Sequence, residues 1–292
     1  MSQPALTIAS LLLDPRLERA CRTWLKGGRY QLEDLGGLAD PVQELEQRRE
    51  AFDVVLLEQG SLAPAVFEGL RRQGLLLPAV VVGEVSGRIE YHEAEVHLPQ
   101  DQLEQIAYSV DAAVSRFLRQ GVQGGGGANG AAGDEPAVAA LTPEGWRLPN
   151  RLQGRLGYLG VFYKRDPSLF LRNLPQQERR ELLGSLERSY RDLLISYFKD
   201  PAAANQAIES FVHTAFFSDL PITKVVEIHV DLIDVFWKQL KLEGHKNDFL
   251  QDYRLALLDV LAHLCEMYRR SIPPEAPAAV SATGQAPTQE VI

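Results

Sequence analysis

The chain has 292 residues, 45% of them apolar and 24% charged, which is enough for two domains with cores of their own. A formal net charge of −9 excludes a general nucleic-acid binder and a protein held on anionic membrane, because both need clustered positive charge. The two cysteines, Cys21 and Cys265, read as small core residues of a reducing compartment, with neither zinc spacing nor a disulfide framework. The N-terminus has no basic region followed by a signal-length apolar run, and no stretch approaches about 18 continuous apolar residues. The expectation is a cytoplasmic protein with no membrane insertion.

In chain order, residues 5–13 (ALTIASLLL) form a short apolar run, and Pro15 opens a helical pattern that stops at Gly27-Gly28. Residues 30–35 alternate as a strand does. Residues 40–51 read as a helix, with Asp40 as cap and Pro41 at its first position. FDVVLLE (52–58) is a buried strand, 64–73 a helix, and LPAVVVGE (77–84) a second wholly apolar strand. After a less regular stretch, AEVHL (94–98) is a short strand and 102–120 a helix. Strand and helix alternate five times in about 120 residues, which predicts a flavodoxin-like α/β domain with a parallel sheet between helices.

This order resembles a response-regulator receiver domain, and it departs from one where the chemistry lies. A receiver binds magnesium and accepts a phosphoryl group through paired acids after the first strand and an aspartate ending the third. A hydroxyl ends its fourth strand and a lysine its fifth. Here Asp14 stands alone, Glu58 ends the third strand, Gly83 has no hydroxyl, and Leu98 replaces the lysine. Without the acid pair, the cation and the amine, an acyl phosphate is neither oriented nor neutralised. Glu58 has about the length of a phosphorylated aspartate and could imitate one, against four substitutions. The domain reads as a pseudo-receiver.

Residues 121–137 (GVQGGGGANGAAGDEPA) read as a flexible linker, since glycine and alanine bury nothing, and no GK[ST] follows to make a phosphate cradle. Beyond it strand patterns vanish. Helical patterns cover 156–166, 175–198, 202–217, 221–242 and 245–271, an all-α bundle with short connections. The predicted organisation is a pseudo-receiver (1–120), a Gly/Ala-rich linker (121–140), a helical bundle (141–273) and a disordered tail (274–292). Residues 1–120 hold 12 basic and 18 acidic side chains, and 151–273 hold 17 and 16, so an anionic partner is not sought on the first half.

The last helical pattern, DYRLALLDVLAHLCEMYRRSIP (252–273), is apolar around most of its circumference. That is more than a helix on the outside of a monomer needs, and it predicts burial on two sides, by its own bundle and by a second subunit. Leu261 and Leu264 are the expected interface positions. A polar stripe of Asp252, Asp259, His263, Glu266 and Arg270 shares one face. A di-iron bundle would need Glu-x-x-His on two helices plus two more inward glutamates. The pairs Glu209/His213 and His263/Glu266 have neither the order nor the partners. No HExxH or Ser/His/Asp arrangement is present, and the chain reads as non-enzymatic.

RLGYLGVFYKRDPSLFLRNLP (155–175), AFFSDLPITKVVEIHVDLIDVF (215–236) and DYRLALLDVLAHLCEMYRRSIP (252–273) closely resemble the cyanobacterial circadian clock family KaiA. RYQLEDL, LPAVVVGE and AEVHLPQDQLEQ extend the likeness to the first half. The resemblance implies a homodimer that binds the C-terminal peptide of the kinase KaiC, stimulates its autophosphorylation, and is inhibited through capture by KaiB. It places His263 on the KaiC-peptide surface, with Glu266 and Asp259 sharing that face by their spacing. It puts Phe216 and Phe217 in a functionally sensitive interface segment. The KaiB-facing segment falls at about Leu148 to Leu156, including Leu152. No cofactor is implied, though the family's pseudo-receiver is associated with oxidised quinone as a regulatory ligand. The alternative is a signal-sensing pseudo-receiver that acts on another partner by dimer rearrangement.

Overall fold

The computed structural model describes residues 6–26, 29–60, 63–123, 165–243 and 252–272. Leu148, Leu152 and Leu156, the linker beyond residue 123, residues 156–164 of the next helical pattern and the 274–292 tail lie outside them. Five parallel strands, β1 (Leu6–Leu11), β2 (Tyr30–Asp34), β3 (Val54–Glu58), β4 (Ala79–Val82) and β5 (Val96–Leu98), are ordered β2-β1-β3-β4-β5. This is one of the two common orders of doubly wound sheets. Successive side chains of a strand point to opposite faces, and the core divides accordingly. Ile8, Val54, Leu56, Val80 and Val82 join helices α1 (Pro15–Trp24) and α4 (Ile106–Gln123) on one side. Ala9, Leu11, Val55, Leu57 and Val81 join α2 (Pro41–Gln47) and α3 (Ala63–Arg72) on the other.

Local chemistry sets the helix starts. Asp14 accepts the Arg16 N–H at 2.8 Å and Asp40 the Gln43 N–H at 2.9 Å, each followed by proline at the first helical position. These are side-chain caps with a residue whose missing N–H costs nothing there. The segment between β4 and β5 contains no helix. Glu95 holds it instead, accepting the N–H groups of Glu90 (2.7 Å), Tyr91 (2.7 Å) and His92 (3.2 Å) and facing His97 Nε2 at 2.7 Å. Burial alone would raise the Glu95 carboxyl, but these hydrogen bonds hold it below the usual range.

The expected single helix 102–120 divides in two. A 3-10 turn, Gln100–Gln105, is kinked at Gln102 (φ −126°, ψ 29°) and precedes α4. The kink turns Gln102 and Gln105 toward the second domain. The described residues of that domain form α5 (Gln176–Ser196), α6 (Pro201–Phe217), α7 (Ile222–Leu242) and α8 (Arg254–Ser271), preceded by two short 3-10 turns. Tyr190, Phe211, Phe216 and Phe217 are its largest fully buried side chains. Of the expected helix 245–271, α8 is the described part, after a turn at Asp252 and Tyr253.

The two domains share one apolar core, with α4 and the 3-10 turn against α5 and α6. Polar groups cross the junction in pairs. Gln105 Nε2 donates to Ser185 Oγ (2.8 Å) and Ser189 Oγ (2.6 Å), and Ser189 Oγ donates to Gln102 Oε1 (2.6 Å). Tyr108 donates its hydroxyl to the Leu169 carbonyl at 2.8 Å. Arg29 bridges Asp111 (2.8 Å) and Asp166 (2.7 Å), and the three side chains are at most 15% exposed.

Several sequence expectations are corrected by packing. Leu264, Phe216 and Phe217 are 0%, 0% and 1% exposed within the single chain, so they fill its own core and offer no surface to a second subunit. Leu261 is half-buried against that same core. Cys21 is buried as expected, and burial pushes its thiol up to about 12, but Cys265 is exposed on α8. A continuous apolar run of helix sequence does not say which of its faces the other helices take.

Candidate binding face and the receiver site

At the receiver positions the missing chemistry is replaced by internal contacts. The Glu58 carboxylate accepts the N–H groups of Leu13 (2.6 Å) and Asp14 (2.9 Å), tying the β1–α1 loop to the end of β3. Asp14 spends its own carboxylate on the α1 cap. Gln59 turns back across the end of β4. Its Oε1 accepts the Glu84 N–H at 2.6 Å and its Nε2 donates to Glu90 at 3.0 Å. A Cβ at Gly83 would collide with the Gln59 side chain, which explains the glycine where a receiver carries a hydroxyl. Leu98 is fully buried in β5 and accepts the Gly83 N–H through its carbonyl. Glu58 is a loop anchor here rather than a free phosphate mimic. Among the described residues no cluster of three or more metal-ligating side chains occurs.

The second face lies on α8. Ala256, Val260, Leu264 and Met267 point into the core, a 4-4-3 spacing that leaves the polar stripe outside. His263 is about half exposed, with its Nδ1 2.9 Å from the Asp259 carbonyl and 3.6 Å from Asp259 Oδ1. The other oxygen of Asp259 accepts the Tyr197 hydroxyl from the end of α5 at 3.1 Å. Glu266 is held by Arg269, bidentate at 2.6 and 2.7 Å, and by Arg270 at 2.5 Å. Hydrogen bonds from Arg269 and then Arg270 pull its carboxyl down to about 2. Asp259, His263 and Glu266 therefore share one face, as their spacing requires.

Behind this face sits His213 of α6. Burial, and then the positive charges of Arg116 and Arg119, push its imidazole down to about 3, so it is neutral near pH 7. Tyr197 is the contributor that sequence reasoning missed. It lies some 60 residues away in a segment readable only as helix, and spacing along one helix does not point to it.

A sheet with receiver topology, docked on a helical domain with an exposed histidine–carboxylate face, defines a two-domain protein of the pseudo-receiver class. Family models agree in both halves. The N-terminal domain of circadian clock protein KaiA matches residues 6–121, and the KaiA C-terminal domain matches residues 154–275. The circadian clock oscillator protein KaiA of Parasynechococcus marenigrum (strain WH8102) is 58% identical over 98% of this chain and 95% of its own length. That of Synechococcus elongatus (strain ATCC 33912 / PCC 7942 / FACHB-805) is 43% identical over 87% of this chain and 93% of its own. A crystal structure of the C-terminal domain of Thermosynechococcus elongatus BP-1 KaiA is 50% identical, covering 36% of this chain and all of that one, with a TM-score of 0.32. The chain belongs to the KaiA family and is a circadian clock component.

Proposed function

We propose that the protein is a non-enzymatic clock regulator that works as a homodimer. It binds the C-terminal peptide of the kinase KaiC on the α8 face and stimulates KaiC autophosphorylation, and capture by KaiB ends the stimulation. The observation that carries this reading is the α8 stripe itself: His263 and Asp259 are exposed but already oriented by hydrogen bonds, while the opposite side of the helix is core. A pre-oriented polar anchor loses little entropy on binding. Dimerisation is supported by apolar side chains with nothing over them. Leu255 and Leu258 on α8 are 54% and 62% exposed, and Ile222, Val226, Val230 and Trp237 form an exposed row on α7. The mixed charge of the chain suits a protein partner better than nucleic acid, and no described helix is long and apolar enough to cross a membrane. The KaiB-facing assignment to Leu148, Leu152 and Leu156 stays a proposal from the family resemblance.

A second reading, sensing through the pseudo-receiver, is supported by one feature. A cavity of about 330 Å³ opens where the domains meet, lined by Glu84, Val85 and Gln102 on one side and Asp192, Ser196 and Ser210 on the other. A small regulatory ligand there, an oxidised quinone in the family expectation, would bear on both domains. No resident cofactor is part of either reading.

Calorimetric titration of the KaiC tail peptide, with autophosphorylation assays and thermal melts, tests the first reading. His263→Ala is expected to lose about 2–4 kcal/mol of binding, as for truncation of a central anchor, or roughly 30- to 1000-fold in affinity. Its melting point should stay close to wild type, because exposed substitutions cost less than about 0.5 kcal/mol. A variant that melts early yet binds normally would show His263 to be a core residue.

A further inference from the structure

We propose that Tyr197 is a positioning residue for the binding face: acting through Asp259, it fixes His263 in the tautomer that carries its proton on Nδ1, so that Nε2 faces the partner as a hydrogen-bond acceptor. This rests on the reading of the α8 face as a peptide site and names what that site asks of its ligand, an N–H donor opposite His263.

The chemistry follows from what each atom can do. A backbone carbonyl only accepts, so the 2.9 Å contact between His263 Nδ1 and the Asp259 carbonyl requires the proton on Nδ1. In a neutral imidazole the other nitrogen then bears a lone pair. Free histidine favours the opposite tautomer, and one carbonyl within the same helix is a modest bias. The Asp259 carboxylate adds to it, with Oδ1 3.6 Å from Nδ1, because negative charge beside Nδ1 favours a proton there. On a half-exposed helix face that carboxylate would be free to swing into water. Tyr197, from α5, prevents this by donating its hydroxyl to Oδ2 at 3.1 Å. Tyr197 is itself half-buried and stacked edge-on against Phe198, which in turn packs edge-on against Tyr253 at the start of α8, so the clamp is anchored at both ends. The other ionisable groups facing His263 do not compete. Glu266 is occupied by Arg269 and Arg270, and His213 on α6 is a neutral ring.

The test combines ring spectroscopy with amide surrogates in the full-length dimer. Selective 15N-histidine labelling, with His263→Ala for assignment, is expected to show the neutral form of the His263 ring protonated at Nδ1 and bare at Nε2. Tyr197→Phe should move it toward the Nε2–H form while leaving the other histidines unchanged. In titrations with the KaiC tail peptide, His263→Gln places an amide near Nε2 and should bind within about 5-fold of wild type, the worth of one neutral hydrogen bond. His263→Asn, which imitates Nδ1, should be as weak as His263→Ala. Should Tyr197→Phe fold poorly, Asp259→Ala, which removes the negative charge beside Nδ1, should move the ring toward the Nε2–H form in its place. An Nε2–H ring in the wild type, a tautomer untouched by Tyr197→Phe in a folded protein, or Asn binding better than Gln would overturn the inference. Peptide binding unaffected by His263→Ala would instead remove the peptide-site reading and leave the tautomer measurement to stand or fall separately.

Discussion

His213 shows how one residue can carry information in its environment rather than its type. A histidine held neutral in the fold, at about 3 against an ordinary 6.5, takes up its proton more readily when the chain unfolds. Its contribution to stability is therefore present above pH 6.5 and lost as the pH falls toward 3. Acidification from pH 7 to 5 should cost about 1–2 kcal/mol through this group. Denaturant melts of His213→Gln at the two pH values should show a correspondingly flatter dependence; an unchanged slope would place the proton uptake elsewhere. Glu58 teaches the same lesson differently. Its length suggests a phosphate mimic, and its two backbone N–H partners make it a loop anchor instead.

At the scale of the element, α8 is the helix whose surface has two destinations. Its inward row Ala256, Val260, Leu264 and Met267 is buried by the protomer, and its outward row Leu255, Leu258, Ala262 and Cys265 is exposed. An aspartate in each row should have opposite consequences. Leu264→Asp places an unpaired charge in the core, which costs several kcal/mol, and should prevent folding. Leu258→Asp or Val230→Asp should leave a folded chain that sediments as a monomer at micromolar concentration. Folded dimers from both outward variants would mean that those rows are not the subunit contact, and a folded Leu264→Asp would contradict its burial.

Across the whole molecule, the junction between sheet domain and helical domain is part of the core and not a loose tether. Arg29 is its central cation, between Asp111 and Asp166. Burial raises the Asp111 carboxyl to about 6 even with Arg29 beside it. Removing one partner of a buried ion pair costs about 3–5 kcal/mol, because the remaining charges stay in low dielectric. Arg29→Ala is therefore expected to lower the melting point of the full chain at pH 7.5 and to increase its radius of gyration in solution scattering as the domains part. A carboxyl raised in the fold binds its proton more tightly there than in the unfolded chain, so its contribution grows as the pH falls below about 6. The defect should accordingly shrink at pH 5, where Asp111 is neutral. An Arg29→Ala variant as stable and as compact as wild type would show that the bridge holds nothing.

Much of this was legible from residues alone, because it depends on short-range rules. Continuous apolar runs such as LPAVVVGE, helix starts at Pro15 and at Asp40-Pro41, and the spacing of the polar stripe on α8 are local. So are the absences that disarm the receiver, Gly83 and Leu98, since a missing hydroxyl or amine needs no structure to be noticed. The His263 face followed from spacing on one helix. What the tertiary structure decided involves two segments distant in sequence. It set which side of α8 the bundle covers, and so moved Leu264, Phe216 and Phe217 into the core and Cys265 out of it. It turned Gln102 and Gln105 out of a regular helix to meet Ser185 and Ser189, and it brought Tyr197 onto Asp259. A sequence pattern states that a surface must be buried or a polar group satisfied, and only the packing of the folded chain determines by what.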